Sequence, residues 1–384
     1  MNSDSKIYDI LFVELVPAYE CYIPLAEKFK IPVIGTLSSR PWMHTSDVFG
    51  DLHPLSIPTL WSPLPKKMSF FQRLENIIQN AYASLLIKYI WEAPLSDFLD
   101  QYFPDFDLKR HRAISLIFTI NHVSVLATPL IPKVVEVTGI HLPPVKPLPQ
   151  MIEKFINESE NGVILLSFGS IANSNVIDSR LRNIFRDTFS CIQQRVIWKF
   201  DKNIERISEN VLVSDWIPQS DILAHKNVKL FITHTGIKGM YEAIDAGVPL
   251  VCIPLFWDQP SNAGLIEDIG AGIRLDLKTL TKEILLNAIN NILFDERYSK
   301  KMQKLSSQFK DRPMSPQQSV IYWTEYVLRH NGTQHLQPTS VEIPWHQYLL
   351  LDVIFFISFV VFTFSSMLWL IFKLCSKIWK SIKN

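Results

Sequence analysis

The chain has 384 residues, enough for two domains with additional segments. Its 38 basic and 37 acidic residues leave a formal charge of +1, so composition gives no reason to expect nucleic-acid binding, which usually needs a basic surface. Cys21, Cys191, Cys252 and Cys375 lie far apart and match neither a disulfide framework nor a zinc site, and we expect buried free thiols.

The N-terminal part has the pattern of a β-α-β unit, which is typical of parallel sheets. Residues 7–14 predict a buried strand, residues 24–30 a helix, and residues 31–37 a second short strand. The pattern that follows predicts a loop rich in proline and tryptophan, then one or two helices, then another strand, over residues 41–65, 70–101 and 115–120.

Composition changes at residues 141–150, where four prolines in ten residues predict an extended linker between domains. Beyond the linker, predicted strands alternate with predicted helices, a pattern that indicates a parallel, doubly wound sheet. The predicted strands are residues 163–168, 195–200, 210–216, 228–233 and 248–254, and two of the helices are residues 176–192 and 238–246. Gly247 is expected to end the second helix in the C′ position.

Polar and aromatic residues follow these strands at their carboxyl ends, where open parallel sheets bind ligands. His234 and Gly236 precede a helix whose free N–H groups suit an anion. One turn into that helix, the Glu242 carboxylate can accept hydrogen bonds from two vicinal ribose hydroxyls. Taken alone, an isolated histidine is compatible with a purely structural role.

Two further pairs strengthen this interpretation. Asp258 and Gln259, in a loop after the last strand, offer acceptors and donors to the hydroxyls of a sugar. Trp216 presents an indole face for a flat base, and Gln219 an amide for its edge or for the ribose. Trp216 is by itself equally compatible with a place in the core, but four such groups at successive strand ends are an infrequent coincidence.

The C-terminal segment predicts a membrane span. Residues 353–372 contain no charge over 20 residues, the length that crosses a bilayer as a helix. Tyr348 and Trp369 suit interfacial positions. Lysines follow at once, and the positive-inside rule then places the short tail in the cytosol and the residues before 348 on the lumenal side; these lysines are Lys373, Lys377, Lys380 and Lys383.

A lumenal domain requires a signal peptide, and the first residues do not have the pattern of one. Asp9 and Glu14 interrupt the apolar run, and no basic n-region or small-residue cleavage site is visible. Either the protein is tail-anchored and faces the cytosol, or its original N-terminus is missing, which we favour. Sequons at Asn157 and Asn331 are compatible with a lumenal domain.

The stretches WIPQSDILAH (216–225) and FITHTGIKGMYEAIDAGVPLVCIPLFWDQPSNA (231–263) closely resemble the signature of the animal, membrane-bound UDP-glycosyltransferases. LSFGS (166–170) resembles the first nucleotide-binding loop of that family. The resemblance extends from about residue 7 through the C-terminal helix. It implies an α/β fold of two Rossmann-like domains in the GT-B arrangement, the first incomplete, followed by a transmembrane helix, with the active site in the cleft between the domains.

The resemblance implies a UDP-sugar donor, with no cofactor and no metal. Residue by residue, Trp216 would stack on uracil and Gln219 would bind the uridine part, while Glu242 would bind ribose. The diphosphate would be held by Ser170, His234 and the turn from Gly236 to Gly239, and the sugar by Asp258 and Gln259. Two positions depart from the family pattern: Thr235 stands where glycine is usual, and Lys238 where vertebrate members have asparagine.

In this family a histidine after the first strand of the N-terminal domain deprotonates the acceptor, and a carboxylate orients that histidine. An alcohol needs such a base to attack the anomeric carbon. Here Glu14 falls at the position of the carboxylate, and the first histidine of the chain, His44, lies well downstream. Glu14 is therefore either a base-orienting active-site carboxylate, with the catalytic histidine absent, or a strand-end residue without its partner.

Three hypotheses follow. The first is an enzyme of the endoplasmic reticulum membrane that transfers a hexose from a UDP-sugar to a small lipophilic acceptor with inversion, as in detoxification. The second is an inactive UDP-sugar-binding subunit that associates with itself or with related transferases. The third, which we favour for the chain as it stands, is an incomplete gene model or splice product of an ordinary transferase.

The predicted organisation has six segments. A partial acceptor-binding domain (1–140) and a linker (141–150) precede a UDP-sugar-binding domain (151–315). A return helix with a juxtamembrane segment (316–347), the transmembrane helix (348–372) and a basic cytosolic tail (373–384) complete the chain.

Overall fold

A computed structural model of the chain describes residues 8–15, 19–40, 57–104, 114–170, 177–200, 204, 206–338 and 343–383. Two parallel sheets organise it. The first has the strand order β1-β2-β3-β4, formed by Leu11–Glu14, Val33–Leu37, Ile114–Thr119 and Val134–Glu136. The second has the order β10-β9-β8-β5-β6-β7, in which β5 to β10 are Val163–Ser167, Arg195–Lys199, Val211–Ser214, Val228–Thr233, Leu250–Cys252 and Gly272–Arg274.

The helices follow in chain order. The N-terminal part has α1 (Ile23–Phe29), α2 (Phe70–Ile87) and α3 (Ala93–Tyr102), and a π turn (Lys88–Glu92) makes α2 and α3 continuous. In the middle of the chain lie α4 to α9, which are Gln150–Asn157, Ser179–Phe189, Gln219–Leu223, Ile237–Ala246, Gln259–Ile269 and Lys282–Phe294. The last four, α10 to α13, are Glu296–Lys310, Pro316–Arg329, Trp345–Tyr348 and Leu351–Lys383.

The second sheet is buried on both faces, because successive side chains of a strand point to opposite sides. In β5, Val163 and Leu165 join the cluster that contains α7 and α10, whereas Ile164 and Leu166 join the cluster on the other face. In that second cluster the fully buried Trp198 packs edge-on against Phe185 and Phe189 of α5. The strand tips are therefore held by packed layers on either side, which fixes where their terminal residues point.

The helix α11 returns to the first sheet. Its Val327 is fully buried against Ile34, Leu116 and Phe118, and Lys133 donates hydrogen bonds to the Ile114 carbonyl (2.8 Å) and to Gln337 Oε1 (2.8 Å). The segment that leads to α13 is thus attached to the N-terminal sheet.

Most of the predicted strands and helices are confirmed, with shifted ends. Residues 70–101 are helical throughout, with the π turn between α2 and α3. The helix expected at 176–192 begins at Ser179 because Asp178 caps it. The prediction that Gln259 lies in a loop is wrong: Gln259 starts α8, since Pro260 in the first turn favours a helix start. The three-residue strands β4 and β10 were not predicted. Most of the loop expected at 41–65 lies outside the described residues.

The expectation for the cysteines holds only in part. All four thiols are free, but Cys252 alone is buried, while Cys191 and Cys375 are exposed and Cys21 is intermediate. Burial of Cys252 follows from its place in the central strand β9, and Cys375 lies on α13 outside any packed core.

Within the described part of the chain, α13 is the one helix long and apolar enough to cross a membrane. It continues past the predicted end at residue 372, because no proline or glycine interrupts residues 351–383. Near the predicted cytosolic end, Lys373 Nζ lies 4.7 Å from the centre of the Trp369 ring, a cation–π pair one turn apart.

Candidate functional site

The imidazole of His234 lies between two glycines. The turn after β8 leads from Thr233 through His234 to Gly236, the N-cap of α7. A Cβ built on Gly236 would lie 2.5 Å from His234 Nε2, and one built on Gly169 would lie 3.0 Å from His234 Cε1. A side chain at Gly236 would therefore force the ring to move, and the φ of 72° at Gly169 favours glycine. Backbone N–H groups at the start of α7 remain open to an anion. Ser170, which is exposed, follows Gly169 directly in the loop after β5.

Thr235, noted in the sequence as a departure from glycine, has a φ of 62°. This left-handed conformation is unstrained for glycine and unfavourable for a β-branched residue. Two hydrogen bonds hold it: the Thr235 N–H donates to Thr233 Oγ1 (3.3 Å), and its carbonyl accepts from Asn262 Nδ2 (3.1 Å). The turn keeps the geometry that glycine would adopt.

Gln219 and Glu242 are brought together across α6 and α7. Gln219 Nε2 donates a hydrogen bond to Glu242 Oε2. The amide passes over Gly239, where an added Cβ would lie 3.3 Å from Gln219 Nε2. Gly239 therefore provides the space in which two predicted nucleotide-binding side chains meet. The linker also reaches this corner, since His141 Nε2 lies 3.2 Å from the Lys238 carbonyl, while the Lys238 side chain is exposed.

Trp216 is exposed rather than part of the core, with 73% of its surface accessible. Lys199, at the end of β6, lies with Nζ 5.3 Å from the centre of the indole and donates a hydrogen bond to the Gly169 carbonyl (3.2 Å). This lysine places a positive charge between the indole and the loop after β5. The sequence analysis did not single it out, although its place at a strand end was the available signal.

Asp258 and Gln259 stand at the start of α8 and differ in their surroundings. Gln259 is 4% exposed, and its Oε1 accepts from the N–H groups of Leu255 (2.8 Å) and Phe256 (3.1 Å). Asp258 Oδ2 accepts from Asn262 Nδ2 (2.7 Å). The pKa of Asp258 is raised, because burial outweighs three opposing effects. These are the hydrogen bond from Asn262, a backbone hydrogen bond and the charge of Arg40, each of which lowers the pKa. Asn262, which was not predicted from the sequence, thus joins the turn after β8 to Asp258, the carboxylate predicted to bind the sugar.

A cavity of about 290 Å³, here called the central cavity, lies between the two halves of the chain. Glu14 and Asp258 both line it, the first from the tip of β1 and the second from the start of α8. Glu14 Oε2 accepts from Thr36 Oγ1 (2.7 Å), and Glu14 Oε1 accepts from the Ser38 N–H (2.7 Å). The other lining residues are Ser38, Ser39, Leu60, Trp61, Ile87, Trp91, Ile237 and Trp257.

A second cavity of about 360 Å³, here called the side cavity, adjoins the first. The two share Trp61, Ile87 and Trp91, where α2 passes into the π turn, an irregularity frequent at functional sites. Gln79 also lines the side cavity, and within the part of the chain that the structure describes its buried Oε1 has no hydrogen-bond partner. Both cavities are mainly apolar and aromatic, and the polar groups of the central cavity are contributed by Glu14, Asp258 and two serines.

The structure thus brings the predicted residues of the second sheet into one connected region, with Glu14 facing it from the first sheet across the central cavity. His44, the first histidine of the chain, lies outside the described residues. Within the described residues, no group of three or more histidine, cysteine, aspartate or glutamate side chains could hold a metal ion.

Acid should destabilise the protein through His234. Burial lowers the pKa of this imidazole to about 4 from an ordinary 6.5, so the unfolded chain takes up the proton first as pH falls. Above about pH 6.5 His234 is neutral in both states and costs no stability. Between that pH and 4 the free energy of unfolding falls by about 1.4 kcal/mol per pH unit. Urea unfolding at several pH values should show a shallower dependence for His234→Asn, and an unchanged slope would contradict this assignment.

Comparison with known proteins agrees with this geometry. The sequence model described as UDP-glucoronosyl and UDP-glucosyl transferase matches residues 2–384. UDP-glycosyltransferase UGT5 of Dactylopius coccus is 40% identical over 94% of this chain and 70% of its own length. UDP-glucosyltransferase 2 of the same insect is 35% identical over 100% of this chain and 76% of its own. UDP-glucuronosyltransferase 2B14 of Oryctolagus cuniculus is 36% identical over 91% of this chain and 67% of its own length.

Solved structures support the fold at lower identity. The calicheamicin glycosyltransferase CalG4 superposes with a TM-score of 0.55 and 18% identity, covering 84% of this chain and 76% of its own. A UDP-glucosyltransferase from Polygonum tinctorium superposes with a TM-score of 0.56 and 16% identity, covering 83% of this chain and 75% of its own. These GT-B neighbours match the two parallel sheets described above, and the mammalian relatives together with α13 fit a membrane-anchored protein. The chain belongs to the UDP-glucuronosyl and UDP-glucosyl transferase family, as a glycosyltransferase whose donor is a UDP-sugar.

Proposed function

We propose that this chain transfers a hexose from a UDP-sugar to the hydroxyl group of a small, lipophilic acceptor, with inversion at the anomeric carbon. The observation that carries the proposal is the central cavity, because a carboxylate from each half of the chain lines it and aromatic side chains form the walls between. A sugar at the Asp258 side and an acceptor at the Glu14 side would meet there without water in the apolar part of the cavity.

The donor would lie along the strand tips of the second sheet. Uracil would stack on Trp216, and the ribose hydroxyls would donate to Glu242, whose second role is to hold Gln219. The diphosphate would receive hydrogen bonds from Ser170 and from the N–H groups of the turn that begins at Gly236. Burial keeps His234 neutral at pH 7, so its imidazole would act as a hydrogen-bond donor to the diphosphate and not as a full charge.

The sugar would bind at the start of α8. Asp258 would accept from its hydroxyls, and the hydrogen bond from Asn262 fixes the carboxylate for this purpose. Gln259 would contribute only its NH₂ group, because its oxygen is used by two backbone amides of the preceding loop. Neither interaction distinguishes glucose from glucuronic acid.

The acceptor would occupy the apolar part of the central cavity. Trp61 and Trp257 pack together there, with ring centres 5.5 Å apart, and present flat apolar surface. An acceptor longer than one ring would extend past Ile87 into the side cavity, where the unpartnered Gln79 Oε1 would accept a hydrogen bond from its distal end. A lipophilic molecule with one reacting hydroxyl fits this surface.

Inversion requires one displacement. The acceptor oxygen would attack the anomeric carbon opposite the diphosphate, and the bond to UDP would break. The hydroxyl proton would pass to a base that the described lining of the central cavity does not include. Glu14 would orient that base, since Thr36 and Ser38 hold its carboxylate at the acceptor side of the cavity.

A specific observation also favours a second function, binding of UDP-sugar without transfer. The described residues that line the central cavity include two carboxylates and no imidazole. A chain of this kind would serve as a donor-binding subunit, alone or together with related transferases in the membrane. We place either form in the endoplasmic reticulum membrane, with its globular part lumenal and its tail cytosolic, from the lysines that follow residue 372.

One experiment separates these functions. The full chain in detergent is titrated with UDP by calorimetry and, in parallel, incubated with UDP-glucose or UDP-glucuronic acid and a panel of lipophilic alcohols and phenols. Binding with glycoside formation above solvent hydrolysis supports transfer, and binding without product supports the second function. Absence of UDP binding would remove both.

Trp216→Ala should weaken UDP binding by about 1–3 kcal/mol, because the exposed indole loses its stacking surface for the base. Trp369→Ala, a tryptophan on α13 far from the strand tips in sequence, serves as the control and should leave UDP affinity unchanged. Calorimetry that gives the same dissociation constant for both variants would exclude Trp216 from the nucleotide site.

A further inference from the structure

Arg40 belongs to the N-terminal half of the chain but is buried against the C-terminal half, with 4% of its surface exposed. Its Nη2 donates to the carbonyls of Pro58 and Thr59 (3.1 Å each) and to Ser261 Oγ of α8. Its Nη1 is also buried and has no hydrogen-bond partner among the described residues. A buried guanidinium with an unpaired N–H group costs stability, so packing alone does not account for an arginine here.

The same face of α8 carries two further contacts to the N-terminal half. At Gly264 an added Cβ would lie 3.1 Å from Pro63 Cα and from the Pro63 carbonyl oxygen, so the two backbones approach closely. Asp268 Oδ2 accepts a hydrogen bond from the Lys66 N–H (2.7 Å). Residues 261, 264 and 268 are spaced three and four apart and lie on one face of the helix. The segment 57–66 therefore follows α8 along its length.

The first turn of α8 also carries the predicted sugar-binding residues. Asp258 immediately precedes the helix, and Asn262 joins it to the Thr235 carbonyl. Arg40 is attracted electrostatically to Asp258, and although burial lowers the pKa of Arg40 to about 10, the guanidinium remains charged at neutral pH. A positive group from one half of the chain is thus placed beside the carboxylate that the other half presents to the sugar.

We propose that Arg40 is a positioning residue that sets the first turn of α8 for the sugar of the donor, and that α8 couples the approach of the two halves to sugar binding. The inference rests on the proposed donor site. Through Ser261 the guanidinium fixes the helix start, and through its charge it favours the ionised form of Asp258, which accepts hydrogen bonds from sugar hydroxyls. Within the described residues Arg40 bonds to Pro58, Thr59 and Ser261 and to neither Trp216 nor Glu242, so we expect the nucleotide part of the site not to depend on it.

The test compares two ligands, UDP and UDP-glucose, by calorimetry on the full chain in detergent. For Arg40→Met we expect the dissociation constant of UDP to stay within about twofold of the original and that of UDP-glucose to rise about tenfold or more, as expected when a hydrogen bond from a charged group is lost. Arg40→Lys should recover little, because an ammonium is more strongly hydrated than a guanidinium and is therefore costlier to bury at this position.

Ser261→Ala provides a milder variant that removes only the acceptor on α8. It should show the same preference for weakened UDP-glucose binding by a few fold, and the double variant with Arg40→Met should be no worse than Arg40→Met alone. Asp268→Ala breaks a contact of the same helix face away from the sugar end and should leave the ratio of the two dissociation constants unchanged.

Several results would overturn the proposal. If Arg40→Met weakens UDP and UDP-glucose equally and Ser261→Ala leaves their ratio unchanged, Arg40 only supports the fold. If neither variant changes either constant, the contact has no role in donor binding. An original chain that binds neither ligand refutes the proposed function itself, before any variant is compared.

Discussion

Replacing Glu242 with alanine is expected to weaken UDP binding by about 2–4 kcal/mol, or roughly 30- to 700-fold. The carboxylate would accept hydrogen bonds from both ribose hydroxyls. Bonds to a charged acceptor are each worth about 1.5–3 kcal/mol, and water that enters the vacated space recovers part of that sum. It also accepts from Gln219 Nε2, so its removal frees the amide that would contact the uridine part. Calorimetric titration of the full chain with UDP measures the change.

The design of this experiment separates ribose recognition from loss of fold. Glu160→Ala removes an exposed carboxylate of the same half of the chain and should leave the affinity for UDP unaltered. The Glu242→Ala chain should retain its circular dichroism spectrum, because Glu242 is only partly buried and lies on a helix that is packed through Met240, Tyr241 and Ile244. A normal spectrum together with an unchanged dissociation constant would place the ribose elsewhere.

Ending the chain at Tyr348 is expected to release it from the membrane. Fourteen of the residues between 353 and 372 are Val, Ile, Leu or Phe, and each favours insertion by about 0.3–0.6 kcal/mol, which amounts to about 4–8 kcal/mol. The described side chains of α13 are largely exposed, so no packed core competes with lipid for this surface. Alkaline extraction of expressing-cell membranes, followed by sedimentation, should find the shortened chain in the supernatant.

The control keeps the helix and changes the tail. A chain with Lys377→Gln and Lys380→Gln retains all the apolar residues between 353 and 372 and should remain in the pellet. Recovery of the shortened chain in the pellet would mean that another surface anchors it, and the exposed apolar side chains Phe70, Phe71 and Ile78 of α2 would then be the first to replace.

Local pattern was sufficient for much of the architecture. Apolar runs such as residues 163–168 and 228–233 predicted buried strands that the structure has, because a strand covered on both faces needs little beyond its own composition. Gly247 was predicted to end α7 and does so with a φ of 74°. The short strands β4 and β10 were not predicted from the sequence, since three residues are too few to establish a period.

The candidate site was predictable where a residue's position along its own strand determines where it points. His234, Glu242 and Asp258 were singled out because each follows a strand tip, and the carboxyl ends of parallel strands share one edge of the sheet. Their roles toward UDP and sugar remain predictions. The partners of these side chains could not be inferred in the same way. Gln219 of α6 pairs with Glu242 of α7 only because Gly239, also on α7, leaves space for the amide.

The sequence by itself determined the alternation of strands and helices, the residues at the strand tips and the apolar C-terminal helix, because these depend on neighbours within one or two turns. Tertiary structure alone decided that Asn262 joins the start of α8 to the turn after β8, and that Lys199 lies beside Trp216. It also decided that Arg40 meets Ser261, a residue 221 positions away. Such contacts arise when separate strands, helices or halves of the chain pack together, and no local period carries information about them.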